Sequence, residues 1–269
     1  MYSLFLECPE QDAELLSSEL WEEGASGIQE ESLPGSRCQL RAWFDDPTGL
    51  MQRFAPFQPR LEVDEDVDWE QASRQAWQPF EIGDRLYLAP EWDEDPTPRG
   101  RMRLTIHPGQ ALGTGDHPAT QLCLEALEKH LPHSAVVLDV GAGTGILMAG
   151  AALLGARHVA GCDIEYESIA VAYRNLLTDG LPPHVFAGST RAVRSQSVDL
   201  VVANINAVTH ETLASEYARV SRRWLVLSGF PDRHAARVRA ALKRHGFEVV
   251  ETIEKNEWVC LVLWNEENS

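Results

Sequence analysis

From Ala135 onward the chain alternates apolar runs with helix-period segments, and few folds tolerate that rhythm. AVVLDV, HVAGCDI, HVFAG, VDLVVANI and RWLVLSGF read as strands; all but HVFAG are followed by a helical stretch. Strands apolar on both faces and joined through helices predict a parallel sheet covered on both sides. FEVVETI and EWVCLVLW follow each other without a helix, which predicts an antiparallel edge. The expected class is α/β, with a doubly wound, mostly parallel, seven-stranded sheet.

Upstream the pattern changes. Ser3 to Leu6 reads as a strand, and Gln11 to Glu23 as a helix with Leu15, Leu16 and Leu20 near one face and a stop at Gly24 and Gly27. GIQEE and CQLRAWF read as strands, and Asp46 to Phe54 as a helix with Pro47 near its start. This is a small β-α-β-β unit of α+β type. LEVDEDVDWEQ carries Glu62, Asp64, Glu65, Asp66, Asp68 and Glu70, a run suited to a solvated linker or the exposed start of a helix. A chain of 269 residues has room for a small domain beside a large one. The expected division is residues 1–60, an acidic linker over 61–70, and a main domain over 71–269. Within the last, Glu70 to Trp77 reads as helix, GDRLYLAP and RMRLTIHP as strands, and EWDEDPTPRG as a loop.

A net charge of -18 disfavours bare nucleic acid and anionic membranes and favours basic partners, although an acidic coat serves solubility equally well. The five cysteines form no C-x-x-C pair, and no histidine cluster has metal-ligand spacing, so no metal is expected and reduced thiols are. The N-terminus has no basic n-region, and the longest apolar run, Ile146 to Ala156, is far short of the roughly 20 residues of a membrane span. A cytoplasmic location is the expectation.

The strongest local signal is VVLDVGAGTGILMAGAALLGA, a strand, then Gly141, Gly143 and Gly145, then a helix from about Ile146. Glycines let backbone turn sharply against a ligand at the carboxyl end of such a strand. A tight turn with no ligand is the competing reading. A nicotinamide fingerprint needs glycine where Ile146 stands, and a phosphate loop needs an absent G-K-[ST] ending. Asp139, Gly141, Gly143 and Gly145 instead match D-x-G-x-G-x-G, similar to the S-adenosylmethionine loop of class I methyltransferases. Asp163, ending the next strand, has the chemistry to accept both ribose hydroxyls of an adenosine, against the alternative of a helix cap. Asn204, just past VDLVVA, offers an amide to the methionine part of the cofactor or to an incoming amine; a turn role competes, and Asn206 is read as one. Gly113, Thr114 and Gly115 form a flexible turn before a helix started by Pro118, suited to closing over a cofactor. His117 reads as a loop anchor rather than a base.

LGTGDHPATQLCLEAL, VLDVGAGTGILMAGAALLGA, GCDIEYESIAVAYRN, DLVVANI, LSGF and EKNEWVCLVL stand in the order seen in bacterial ribosomal protein L-eleven methyltransferases, the PrmA family, which the chain resembles over nearly its whole length. The resemblance implies that Thr120, Gly141, Asp163 and Asn204 bind S-adenosylmethionine with the Gly113 to Gly115 loop folding near it. It also implies a ferredoxin-like N-terminal domain that presents the basic ribosomal substrate. Leu112 stands where the family usually has Phe, and Ala119 where it usually has Thr.

The expected reaction is N-methylation of a lysine ε-amine or N-terminal α-amine, with Asn204 the candidate catalytic residue and desolvation of the amine in place of a strong base. Competing readings are a methyltransferase for another protein lysine or a small molecule, and a noncatalytic adapter on the same fold.

Overall fold

The computed structural model describes residues 2–63, 78–107 and 115–265. The chain divides into two compact units, Met1–Ala76 and Trp77–Ser269.

In the first unit, β1 (Tyr2–Pro9), α1 (Ala13–Glu22), β2 (Gly27–Leu33), β3 (Arg37–Phe44), α2 (Leu50–Arg53) and β4 (Arg60–Val63) follow in a βαββαβ order. The sheet order is β2-β3-β1-β4 with every neighbour antiparallel, the ferredoxin-like arrangement. Period-2 alternation sends Leu4, Leu6, Leu40, Ala42 and Phe44 inward, where Leu16 and Leu20 of α1 cover them. The Leu15 side chain lies outside the described set. The helix expected over Asp46 to Phe54 shrinks to one turn. Asp46 takes the Thr48 N–H and hydroxyl at 2.9 and 2.6 Å, and Gly49 turns left-handed at φ 84°, so the backbone is diverted before a helix can start.

Leu61, Glu62 and Val63, assigned above to the linker, are instead the last strand of this sheet. Backbone pairing to β1 and the packing of Leu61 on the core outweigh the acidic composition. The rest of that run, and the helix expected over Glu70 to Trp77, lie outside the described residues.

The second unit opens with a three-stranded sheet of β5 (Phe80–Ile82), β6 (Leu86–Pro90) and β7 (Met102–Ile106), β6 and β7 running parallel. After α3 (Pro118–His130) comes the main sheet: β8 (Val136–Val140), α4 (Ile146–Leu153), β9 (His158–Asp163), α5 (Tyr166–Thr178), β10 (Val185–Ala187), β11 (Val198–Asn204), α6 (Ala207–Val220), β12 (Ser221–Pro231), α7 (Ala235–Lys243), β13 (Phe247–Lys255) and β14 (Trp258–Asn265). The strand order is β10-β9-β8-β11-β12-β14-β13. All seven expected strands are present. The antiparallel pair is arranged more subtly than its sequence order suggests: β14 inserts between β12 and β13, antiparallel to both, and β13 is the edge.

Two apolar layers enclose the sheet. One packs Leu122, Leu127, Ile146 and Met148 of α3 and α4 against Val137, Leu200, Val202 and Val226; the other packs Tyr217, Val238 and Leu242 of α6 and α7 against Leu138, Val201, Leu225 and Leu227. Alternate residues of the same strands therefore serve opposite layers. Strand order reverses at β8 and β11, so the crevice beyond their carboxyl ends is the place for a ligand. Among the described residues no helix is long and apolar enough to cross a membrane.

Candidate active site

The turn from β8 to α4 carries Gly141, Gly143 and Gly145 at φ 79°, 52° and 83°, a region that L side chains enter at a cost. A Cβ on Gly141 would lie 2.5 Å from Ile205 Cγ2, so this glycine also lets the loop lie against the turn after β11. The Gly141 and Ala142 N–H groups donate to the Cys162 carbonyl at 2.8 and 3.1 Å, and Asn175 of α5 donates to the Thr144 carbonyl at 2.9 Å. The loop is thus pinned from β9 and α5 before any ligand arrives.

Asp163 ends β9 beside it. One carboxylate oxygen accepts the Gly143 N–H and the other the Glu165 N–H, both at 3.1 Å. The N-cap of α5 is Glu165, and Asp163, two residues before it, supports the helix entry as well as the loop. Beneath lies Asp139, 1% exposed, with neither carboxylate oxygen hydrogen-bonded among the described residues. Burial, and then the charge of Asp163, push its pKa well above the usual carboxylate range. The neighbouring Cys162 thiol is pushed up to about 12 by burial and then by Asp139 and Asp163. Burial thus favours the protonated, uncharged form of Asp139, and the carboxylate beside the loop is that of Asp163.

At the end of β11, Asn204 Nδ2 donates to Thr120 Oγ1 of α3 at 3.0 Å. The Asn204 amide oxygen makes no protein hydrogen bond among the described residues. The next residue is held from β12: Ile205 N–H donates to the Ser228 carbonyl at 3.0 Å, and a Cβ on Gly229 would fall 2.5 Å from the Ile205 nitrogen and oxygen. His210, fully buried, donates from Nε2 to the same Ser228 carbonyl at 2.9 Å, with Nδ1 3.1 Å from the Tyr217 hydroxyl. Asn206 is the N-cap of α6, accepting the Thr209 N–H at 2.9 Å, and belongs outside the site as read.

Of the Gly113, Thr114 and Gly115 turn, Gly113 and Thr114 lie outside the described residues, as does Leu112. Gly115 sits at φ 87° with no room for a Cβ, which would meet Leu88 Cδ2 at 2.6 Å and Ile146 Cδ1 at 2.7 Å. His117 is the N-cap of α3, its Nδ1 accepting the Ala119 N–H at 3.2 Å, and its ring stands edge-on to Trp258 at 4.4 Å. It anchors the segment. Ala119 is buried in the first turn of α3.

Thr120 with Asn204, and Gly143 with Asp163, are thus brought together across long chain separations. The roles of Ile205, His210, Gly229 and Trp258 escaped the sequence reading. LSGF did hold a signal, a glycine at the carboxyl end of an apolar strand, but what it approaches is not written locally.

A glycine cradle, an adjoining aspartate and an orphaned buried carboxyl, set at the switch point of this strand order, fit a cationic adenosyl ligand. They define a class I S-adenosylmethionine-dependent methyltransferase. More narrowly, the chain belongs to the family described as Ribosomal protein L11 methyltransferase (PrmA), whose family model matches residues 49–266. It is 34% identical to the ribosomal protein L11 methyltransferase of Gloeobacter violaceus over 93% of this chain and 84% of that one. It is 31% identical to that of Myxococcus xanthus over 97% of both. The crystal structure of a ribosomal protein L11 methylase from Lactobacillus delbrueckii subsp. bulgaricus superposes with a TM-score of 0.64 at 26% identity, covering 70% of this chain and 98% of that one.

Proposed function

We propose that this protein methylates amino groups of ribosomal protein L11, lysine ε-amines and/or the N-terminal α-amine, in the cytoplasm. The observation that carries the reading is the likeness to L11 methyltransferases over nearly the full chain, joined to a site with an uncommitted acceptor at Asn204. Gly141, Gly143, Gly145 and Asp163 would hold the cofactor's adenosine and backbone, with Thr120 and the Gly113, Thr114 and Gly115 turn alongside. When bound, S-adenosylmethionine supplies a methyl group activated for direct transfer to a neutral amine. Asn204, with one N–H given to Thr120, keeps its oxygen to accept an N–H of the substrate amine and to turn the nitrogen lone pair toward the methyl group. An amine in a crevice that excludes water loses its proton more readily, so no strong base is required of the chain. The acidic surface steers a basic protein toward the site.

The N-terminal unit is the proposed recognition module. A fragment beginning near Trp69 should bind S-adenosylmethionine yet transfer radiolabel to purified L11 about a hundredfold more slowly than the whole chain, because tethering is lost. Equal rates would remove recognition from that unit. Label appearing on another protein, and none on L11, would overturn the substrate.

A further inference from the structure

His107 follows β7 and meets two carboxylates, one from each side. Its Nδ1 is 2.8 Å from Glu91 Oε2, just past β6, and its Nε2 is 2.9 Å from Asp179 Oδ1, at the C-cap of α5. The His107 side chain is 11% exposed and that of Asp179 16%. A neutral imidazole has one N–H, so it cannot donate to both; with both carboxylates ionised, this geometry requires the imidazolium. Among the described residues only His107 and Asp179 bring ionisable groups to the small cavity beside it, where α4 and the glycine loop present Thr144, Gly145, Ile146 and Ala149.

The partner makes the charge matter. Asp179 places a negative charge at the negative end of the α5 dipole, an unfavourable position unless a cation stands there. One turn earlier, Asn175 holds the Thr144 carbonyl at 2.9 Å, and Ala172 packs 3.4 Å from the Cβ position of Gly145. The last turns of α5 are therefore the backing of the glycine loop. We propose that His107, as an imidazolium bridging Glu91 and Asp179, is a positioning residue that holds α5 against the glycine loop and makes cofactor affinity depend on its proton.

The hydrogen bond to Asp179 raises the His107 pKa from its ordinary 6.5, burial opposes this, and Glu91 raises it further. A raised histidine contributes in full below its unfolded value and loses that contribution as pH rises through the folded value. The clamp thus releases as pH rises through a value above that of a free imidazole.

The inference rests on the cofactor lying at the glycine loop. Calorimetric titration of the full chain with S-adenosylmethionine from pH 6 to 9 tests it, with His107→Gln measured in parallel so that the ligand's own titration cancels. At pH 6 the variant should bind about tenfold more weakly, and the two curves should converge at high pH. Asp179→Asn should move the wild-type break to lower pH. The imidazole carbon signals of labelled wild-type protein report the charge directly and need no variant to fold. Signals of a neutral ring at pH 6, or parallel affinity curves for wild type and His107→Gln, would overturn the clamp. Wild-type affinity in a Gly143→Val variant would instead overturn the cofactor placement.

Discussion

Asn204 and Thr120 stand 84 residues apart in sequence and share a hydrogen bond of 3.0 Å from the amide nitrogen to the hydroxyl oxygen. The bond ties the carboxyl end of β11 to the first turn of α3 and fixes which way the Asn204 amide points. A carboxamide oriented through one N–H presents its oxygen, an acceptor suited to an amine N–H.

Asn204→Ala should therefore lower kcat far more than it raises the Kd for S-adenosylmethionine, by about a hundredfold or more in turnover. Thr120→Val should cost less, since it frees the amide to rotate without removing it. Equal losses in turnover and affinity would move Asn204 onto the methionine part of the cofactor.

Asp163→Ala should weaken S-adenosylmethionine at least tenfold, roughly 1.4 kcal/mol by calorimetry. The aspartate also takes the Gly143 N–H, so the glycine loop loses an anchor along with the proposed ribose acceptor. Asp163→Asn keeps one acceptor oxygen and should fall between wild type and Ala. Affinity unchanged in Asp163→Ala would remove it from the site.

Gly229→Ala should harm both stability and turnover. The position has φ 93°, and the new methyl would meet the Ile205 backbone at 2.5 Å, so Ile205 and the adjoining Asn204 must shift. A destabilisation of more than about 1 kcal/mol in thermal or urea unfolding is expected. The kcat should fall more than the remaining folded fraction explains. Wild-type turnover would show that the turn tolerates the displacement.

His210 should make the protein acid-sensitive. Burial pushes its pKa down from 6.5 to about 4, against the pull of the Ser228 and Ile205 carbonyls. Between those values the unfolded chain binds a proton that the folded one does not, so stability falls as pH drops from 6.5 toward 4. The difference amounts to about 3 kcal/mol. His210→Gln cannot titrate, and its unfolding free energy should fall less steeply over that window. Identical slopes would show that His210 charges without unfolding the chain.

Much of the fold was legible from the strands themselves, because burial on both faces writes apolar runs that need no partner to be seen. The helix start at Ile146 and the Pro118 start of α3 were equally local, each set by glycine or proline backbone preference. Local preference misled where a longer-range term was larger. Acidic composition favours a linker at Leu61 to Val63, yet their backbone groups pair with β1; Asp46 and Gly49 divert the backbone where Pro47 suggests a helix start.

The sequence by itself determined the residue types: the three glycines that follow β8, Asp163 and Asn204 at the ends of β9 and β11, and Thr120 in the first turn of α3. Only the tertiary structure decided which of them meet. Strand order brings β8, β9 and β11 side by side, and that order follows from packing two helical layers on one sheet, not from any local preference. The same packing buries Asp139 with no hydrogen-bond partner among the described residues, closes Gly229 on Ile205 and sets His107 between two carboxylates. Contacts of this kind join residues far apart along the chain, so their energies exist only once the intervening core has formed.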